Sequence, residues 1–235
     1  MRWRLIRETT GRTGAEHMAT DAALLAESNV TGQACLRLYH FDPPCLSLGR
    51  NEAADQYDQA AIARLGLDVV RRPTGGRAVW HQDEVTYAVA APIAVFGGLR
   101  KAYHAIHDRL ARALRSIGVD ATLALPHPPP SSTILHHPAG CFALPTGGEV
   151  LVAGRKLIGS AQVRMRSAFL QHGSILLDGS QDIVSIVSRQ RSAVGGETTL
   201  AAVLGRRVSF DEVADAIVAA WGAELTCSIR ALVKS

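Results

Sequence analysis

The pattern of hydrophobic and polar positions predicts a chain that alternates between strands and helices. Short runs that alternate with period two, or that are apolar throughout and rich in β-branched and aromatic residues, predict strands. Such runs cover residues 3–6, 35–41, 45–49, 67–72, 84–92, 149–153, 156–158, 169–177 and 224–232. The number of these runs indicates that sheet forms much of the structure.

Apolar residues spaced three or four positions apart predict amphipathic helices between the strands. The helical segments are residues 13–29, 57–65, 99–117, 182–188, 198–204 and 209–221. Gly66 and Gly118 follow two of them, and glycine commonly ends a helix because it accepts a left-handed backbone. There is no internal repeat and no clear interdomain linker.

Residues 140–178 form the most unusual stretch of the chain. Pro145 and the glycines after it predict a turn. Lys156 begins a strand that residues 159–161, Gly-Ser-Ala, are expected to interrupt, and small residues there leave room for a ligand or another backbone. Residues 171–173, Gln-His-Gly, place polar groups inside an otherwise apolar strand. Small residues, one lysine and polar inserts on adjacent strands indicate a lined tunnel rather than a plain core.

Residues 71–81, with the sequence RRPTGGRAVWH, predict a loop that can hold an anion. Gly75 and Gly76 allow backbone N–H groups to approach closely, and Arg72 and Arg77 supply forked donors. A hairpin turn with solvated arginines remains the alternative interpretation of these residues taken alone.

Composition excludes several classes of protein. Of the 235 residues, 47% are hydrophobic, which is sufficient for the core of one large domain. The net charge of +4, without a Lys/Arg block interleaved with aromatic residues, argues against nucleic-acid binding. Mild basicity fits an acidic protein partner. No apolar run reaches the length of a membrane span.

The four cysteines show no CxxC spacing, and we see no signal peptide, so reduced thiols in a cytoplasmic protein are expected. Cys35, Cys45 and Cys227 lie in apolar runs and are expected in the core. Cys141 lies instead on a turn-like segment just before the predicted strands. It is either a buried structural thiol or a nucleophile.

The histidines predict no metal site. Three of them share the proline-rich segment 126–138, which we expect to be a surface loop or lid: His127, His136 and His137. Their spacing matches no zinc pattern. His104 and His107 share one helix face without further ligands and are expected at the surface.

Three motifs carry a resemblance to a known family: residues 71–81, GRKLIGSAQ at 154–162 and QHGSILLD at 171–178. In this order and spacing they resemble the biotin/lipoate ligase and lipoyl/octanoyl transferase superfamily, over about residues 17–220. Three features are most similar to the cysteine-dependent octanoyltransferases of Bacillus-type bacteria. These are the loop Gly75-Gly76-Arg77 without a third glycine, the pair Cys141-Phe142, and Gly159-Ser160-Ala161-Gln162 after the lysine.

The resemblance implies an α/β (α+β) fold with a mixed, largely antiparallel sheet flanked by helices, like the catalytic domain of biotin/lipoate ligases. A tunnel for a medium-length acyl chain belongs to this fold. We expect one catalytic domain over residues 1–235, no separate C-terminal accessory domain, and a monomer.

The implied reaction moves an octanoyl group from octanoyl-acyl carrier protein to a lysine of a lipoyl-type carrier domain, such as glycine-cleavage H protein, in lipoate biosynthesis. A Cys141 thiolate would form the acyl thioester, and exchange between thioesters is near thermoneutral, so neither ATP nor another cofactor is expected. A free cysteine has a pKa of roughly 8.5 and needs a neighbouring positive charge to ionise at neutral pH. Lys156 is the candidate for that charge and for stabilising the tetrahedral intermediate.

The other expected site residues line the acyl and pantetheine path. They are Arg72, Gly75, Gly76, Arg77, His81, Gly159, Ser160, Ala161, Gln162, His172 and Gly173. His172 would orient a group or accept a proton, whereas His81 suits a strand-capping role equally well. The sequence departs from the family pattern at residues 82–84 and at the turn 147–148.

Three other functions remain open. An ATP-dependent lipoate–protein ligase would use the glycine loop and Lys156 to hold phosphate and carboxylate oxygens, would need Mg²⁺, and would leave Cys141 incidental. An amidotransferase would move lipoyl or octanoyl groups between carrier domains. A non-catalytic carrier-binding protein has no reason to keep both Cys141 and Lys156. Biotin ligase is disfavoured because no GRGRRGR-like loop is present.

Overall fold

The computed structural model describes residues 2–124, 148–189 and 196–227. Several sequence predictions lie outside these residues: Cys141, Phe142, the proline-rich segment 126–138 with its three histidines, most of the turn at 145–148, and the end of the last expected strand.

The strands are β1 (Trp3–Arg7), β2 (Ala34–Tyr39), β3 (Cys45–Leu48), β4 (Asp68–Arg71), β5 (Val79–His81), β6 (Glu84–Pro92), β7 (Ala121–Leu123), β8 (Val150–Val152), β9 (Arg155–Lys156), β10 (Ile158–Met165), β11 (Ala168–Leu176) and β12 (Leu225–Cys227). The helices are α1 (Gly14–Thr31), α2 (Gln59–Arg64), α3 (Leu99–Ser116), α4 (Asp182–Val187), α5 (Leu200–Leu204) and α6 (Phe210–Trp221).

A six-stranded sheet in the order β10-β11-β6-β2-β1-β12 forms the centre of the fold. Antiparallel pairing joins β10, β11, β6 and β2. Parallel pairing joins β2 to β1 and β1 to β12. The sheet is therefore mixed and largely antiparallel, which confirms the fold class expected from the resemblance.

Both faces of this sheet are covered, which explains why its strands are apolar along their whole length. Helix α1 packs on one face, together with a three-stranded sheet in the order β4-β3-β5. Helices α3 and α6 pack on the other face, with the three-stranded sheet β7-β8-β9. Along β2, Leu36 and Leu38 enter the core below α3, while Cys35 and Tyr39 enter the core below α1. Cys35 and Cys45 are buried, as expected.

Helix α1 begins and ends where local chemistry requires. Thr13 caps it, and its side chain accepts from the Glu16 N–H while the Glu16 carboxylate accepts from the Thr13 N–H. Gly32 ends the helix with φ of 74°. Among the described residues, no helix combines the length and the apolar character that crossing a membrane requires.

The strand that carries Lys156 differs from the prediction. We expected residues 159–161 to interrupt it, but β10 runs unbroken from Ile158 to Met165, and each small residue pairs with β11. Lys156 itself lies on β9, in the small sheet, so the chain passes from one sheet to the other at Leu157. Hydrogen bonds to β11 keep the Gly-Ser-Ala run extended. The small side chains leave room for the neighbouring strand to come close, so they do not end β10.

Candidate active site

A narrow pocket opens on the face of the large sheet that α1 covers. Fourteen residues line it: Met18, Tyr39, Phe41, Ser47, Arg72, Val79, His81, Thr86, Gly159, Ser160, Ala161, His172, Gly173 and Ser174. Only about 30 Å³ is open to the centre of a water molecule. Seven expected site residues are among the fourteen, whereas Gly75, Gly76, Arg77, Gln162 and Lys156 lie outside its wall.

The loop after β4 is held together by Arg72. This buried guanidinium donates to the carbonyl oxygens of Ser47 (2.9 Å), Gly75 (2.9 Å) and Arg77 (2.6 Å). Gly76 has φ of 89°, which favours glycine. The Arg72 guanidinium, which we expected to face an anion, thus binds two carbonyl groups of its own loop and one of β3, and it fixes the shape of the loop beside the pocket.

His172 connects the pocket to a buried carboxylate. Its Nδ1 lies 2.9 Å from Asp21 Oδ2, and its Nε2 lies 2.6 Å from Thr74 Oγ1. Asp21 also accepts from Arg37 (2.7 Å) and Tyr39 (3.0 Å). Burial raises the pKa of Asp21, but the hydrogen bond from His172 and the charge of Arg37 outweigh it, and the net pKa is lowered. An ionised Asp21 accepts from the His172 Nδ1–H, and in the neutral ring Nε2 is then the acceptor for the Thr74 hydroxyl.

His17 supports the same network from α1. Its Nδ1 lies 2.7 Å from Arg37 Nη2, and its Nε2 lies 2.9 Å from the His40 carbonyl oxygen. Because a guanidinium only donates and a carbonyl only accepts, Nδ1 carries the lone pair and Nε2 the proton. Burial, and then the charge of Arg37, lower the pKa of His17 to about 4. Arg37 is held from the outer side by the Glu8 carboxylate, at 2.8 Å.

His81 forms a second polar chain at the pocket. It ends β5, stacks on Phe41 with ring centroids 4.1 Å apart, and lines the pocket, so the capping and site interpretations both describe it. Its Nε2 lies 2.8 Å from Ser47 Oγ, and its Nδ1 lies 2.7 Å from Glu84 Oε1. Arg72 Nη1 donates to the same Ser47 Oγ at 3.2 Å. Ser47 Oγ therefore joins the Arg72 guanidinium to the His81 ring.

Lys156 lies on the opposite face of the sheet, beneath α3, in an ion pair that the sequence did not reveal. Its Nζ donates to Glu149 Oε1 at 2.6 Å, and the side chains are only 2% and 4% exposed. Lys156 is therefore a buried, paired lysine and not a solvated residue at the end of a strand. Glu149 directly precedes β8, and β8 pairs with β9, so the hairpin itself places the two charges together.

His107 is a further buried residue, and the expectation that it lies at the surface is wrong. It is 0% exposed, with Nδ1 2.7 Å from the Gly148 carbonyl oxygen and Nε2 2.8 Å from Ser160 Oγ. Burial lowers its pKa to about 3. The signal was present in the sequence, because His107 stands three positions before Leu110 and seven before Leu114, on the apolar stripe of α3. His104, one turn earlier on α3, is half-buried.

Metal binding has no candidate among the residues that the structure describes: no group of three or more His, Cys, Asp or Glu side chains there is arranged to hold an ion. Cys141 and the three histidines of segment 126–138 lie outside those residues.

Comparison with known proteins identifies the family. The model of the lipoyl protein ligase A/B catalytic domain matches residues 13–222. Octanoyltransferase LipM of Kyrpidia tusciae is 40% identical over 198 residues, which are 80% of this chain and 70% of that protein. The LipM proteins of Moorella thermoacetica and Bacillus subtilis are 37% and 36% identical, over 93% and 77% of this chain and 85% and 67% of their own.

Solved structures agree on the fold. Lipoate-protein ligase A bound with ATP superposes with a TM-score of 0.76 at 20% identity, covering 97% of this chain and 88% of that one. A bipartite lipoate protein ligase of Thermoplasma acidophilum gives 0.73 at 19% identity, with 97% and 86% covered. At such identities the likeness concerns the fold alone, whereas the relatives at 36–40% identity are octanoyltransferases. The chain belongs to the lipoyl protein ligase A/B catalytic-domain family, and within it to the octanoyltransferases.

Proposed function

We propose that this chain transfers an octanoyl group through a thioester on Cys141. The donor is octanoyl-acyl carrier protein, and the acceptor is a lysine of a lipoyl-type carrier domain such as glycine-cleavage H protein. The reaction class rests on the relatives, which are octanoyltransferases at 35–40% identity over most of the chain. The chain is an acyltransferase of lipoate biosynthesis.

The buried Lys156–Glu149 pair is the observation that most supports a thiolate mechanism. Burying an ammonium is costly unless a carboxylate compensates it. The contact of 2.6 Å between Lys156 Nζ and Glu149 Oε1 fixes the position of a buried lysine, and this supports a functional role for it. We propose that this charge faces Cys141. It would favour the thiolate over the thiol and would offset the negative oxygen of the tetrahedral intermediate.

The second half of the reaction requires a proton acceptor. The acceptor lysine amine attacks the thioester carbonyl, the C–S bond breaks, Cys141 leaves as a thiolate, and the attacking nitrogen must lose a proton. We propose His172 for that proton, because Asp21 fixes its Nδ1–H and leaves the Nε2 lone pair toward Thr74. In this proposal the Thr74 hydroxyl, 2.6 Å from His172 Nε2, relays it. No step in this sequence consumes ATP or needs a metal ion.

The apolar side of the pocket is the proposed acyl site. Met18, Tyr39, Phe41 and Val79 supply apolar and aromatic surface there. Because the open space is small, an octanoyl chain enters only as lining side chains move. Met18 suits that movement, since methionine is unbranched and adapts its rotamer readily.

Intact-protein mass spectrometry tests the mechanism. The enzyme is mixed with octanoyl-acyl carrier protein without ATP, and the Cys141→Ala variant is treated in the same way. We expect one octanoyl adduct on the wild type and none on Cys141→Ala. Cys35→Ala is the matched control and should keep the adduct, because Cys35 is buried between β2 and α1.

An ATP-dependent ligase is the second candidate, favoured by the superposition on the ligase bound with ATP. It predicts no adduct in that experiment, and modification of a lipoyl domain only when ATP, Mg²⁺ and free lipoate are present. That result would contradict the thioester mechanism and leave Cys141 as a packing residue.

A further inference from the structure

We propose that His107 is a positioning residue. It connects the pocket wall to the Lys156–Glu149 ion pair through a chain of buried hydrogen bonds that ends at the Gly148 carbonyl group. The inference rests on the proposed function, because it assigns His107 to the placement of Lys156. His107 contacts neither substrate nor the reacting atoms in this proposal.

The direction of the chain is fixed at its His107 end. The Gly148 carbonyl oxygen can only accept, so the ring proton lies on His107 Nδ1, at 2.7 Å. Burial lowers the pKa of His107 to about 3, so the ring is neutral and its Nε2 accepts. The Ser160 hydroxyl, 2.8 Å away, is then the donor.

The remaining links follow from that donor. Ser160 Oγ accepts from Tyr87 OH at 2.7 Å, and burial raises the pKa of Tyr87, so this phenol keeps its proton. Tyr87 OH accepts from Gln171 Nε2 at 2.8 Å, and Gln171 Oε1 accepts from Gln162 Nε2 at 2.8 Å. Tyr87 OH also lies 3.3 Å from His107 Nε2, so the phenol, the Ser160 hydroxyl and the imidazole form one connected group of buried hydrogen bonds.

A glycine on β11 leaves the space that the chain occupies. Gly173 stands directly opposite Ser160 in the ladder between β10 and β11. A Cβ at Gly173 would overlap Ser160 Oγ and the Gly159 carbonyl oxygen, and it would come within 2.9 Å of the Tyr87 ring. The missing side chain of Gly173 therefore serves this chain of hydrogen bonds.

The two ends of the chain lie at the two parts of the proposed site. Ser160 is on the pocket wall. Gly148 is joined to Glu149, whose carboxylate holds Lys156 at 2.6 Å. Burial has the largest effect on the pKa of His107 and lowers it, and the hydrogen bond to Gly148 raises it. The charge of Lys156 lowers it as well, so Lys156 and His107 interact electrostatically. His107 thus sets the position of the Glu149 backbone relative to the pocket.

Three substitutions at one position separate the two hydrogen bonds. His107→Asn places an amide where Nδ1 was and keeps a donor for Gly148. His107→Gln places an amide oxygen where Nε2 was and keeps an acceptor for Ser160. His107→Leu removes both. Leu110→Ala is the matched control, because Leu110 is equally buried in α3 and takes no part in the chain.

We expect His107→Leu and His107→Gln to lower kcat for octanoyl transfer about tenfold, with KM for the octanoyl donor unchanged within about twofold. His107→Asn and Leu110→Ala should stay within about threefold of the wild type in kcat. A loss confined to KM, or a Gln variant as active as wild type beside an inactive Asn variant, would overturn the proposal, since the hydrogen bond to Gly148 would then be irrelevant.

Hydrogen exchange of peptides that cover residues 148–156 provides a readout that does not depend on activity. Exchange there should quicken in the Leu and Gln variants and stay slow in the Asn variant and in Leu110→Ala. Unchanged exchange in all of them would overturn the proposal, even if kcat fell. A third result separates this inference from the proposed function. If exchange quickens as expected in the Leu and Gln variants but their kcat stays at the wild-type value, and if Lys156→Ala is active, the proposed role of Lys156 is refuted. His107 then only holds the backbone in place.

Discussion

Three imidazoles of this protein share one arrangement at the residue scale: one ring nitrogen meets a hydroxyl, and the other meets a carboxylate or carbonyl oxygen. They are His172 with Thr74 and Asp21, His81 with Ser47 and Glu84, and His107 with Ser160 and Gly148. An acceptor at Nδ1 fixes the tautomer and the ring orientation of each histidine. The polar wall of the pocket is therefore preorganised before any substrate binds.

The buried ion pair gives a prediction about stability. Glu149→Gln removes the carboxylate that pairs with the buried Lys156 ammonium, and the free energy of unfolding should fall by about 3–5 kcal/mol. The double variant Glu149→Leu with Lys156→Met should recover most of that loss but have no transferase activity. Urea unfolding followed by circular dichroism measures both. A Glu149→Gln variant as stable as wild type would contradict the pairing.

At the scale of elements, α1 and β2 meet through a neutral histidine, and this predicts a pH dependence. The pKa of His17 is about 4 in the folded protein, below the 6.5 of an exposed histidine. Its contribution to stability is therefore complete above pH 6.5 and is lost as the pH falls from 6.5 toward 4, because the unfolded chain takes up the proton first. The loss is on the order of 3 kcal/mol.

Urea unfolding at several pH values between 7 and 4 measures this effect. His17→Gln cannot titrate, so its free energy of unfolding should vary less over that range than the wild-type value. Equal slopes for the two proteins would show that His17 is not buried in the neutral form.

A glycine on β11 and one in the loop after β4 give a second prediction at this scale. Gly173→Ala on β11 forces a methyl group into Ser160 and the Gly159 carbonyl, and should lower the free energy of unfolding by about 1–3 kcal/mol. Gly75→Ala is the matched control, since the space beside Gly75 is open and its backbone needs no positive φ. Thermal unfolding of both variants decides the matter, and equal melting temperatures would contradict the close packing at Gly173.

The elements also show how far local pattern predicts the fold. Continuous apolar runs predicted the strands, because both faces of the sheet are covered. The spacing of apolar residues predicted the long helices, as the apolar stripe of α3 shows. Residues 159–161 misled the prediction, since small residues that admit a close neighbour look the same whether that neighbour is a ligand or a strand. Residues 79–81 form a strand rather than the end of a loop, and β5 is too short, at three residues, to give a periodic pattern.

At the scale of the whole molecule, the site depends on contacts that no local spacing contains. Thr74 and His172 are 98 positions apart, and Asp21 and His172 are 151 apart. The sequence motifs located Lys156 and His172 but gave no sign of Asp21 or Glu149. Carboxylates that act through a buried partner leave no periodic signal, so only the folded chain reveals them.

The pairing of β1 with β12 has a consequence for how the protein is made. Trp3 lies opposite Leu225 in a parallel ladder, so β1 is synthesised long before the strand that pairs with this edge. During synthesis β1 has a partner on one side only, in β2, and its other edge presents unpaired N–H and C=O groups. The central sheet is completed only after residue 227 has emerged, and an open edge is what chaperones and neighbouring nascent chains meet until then.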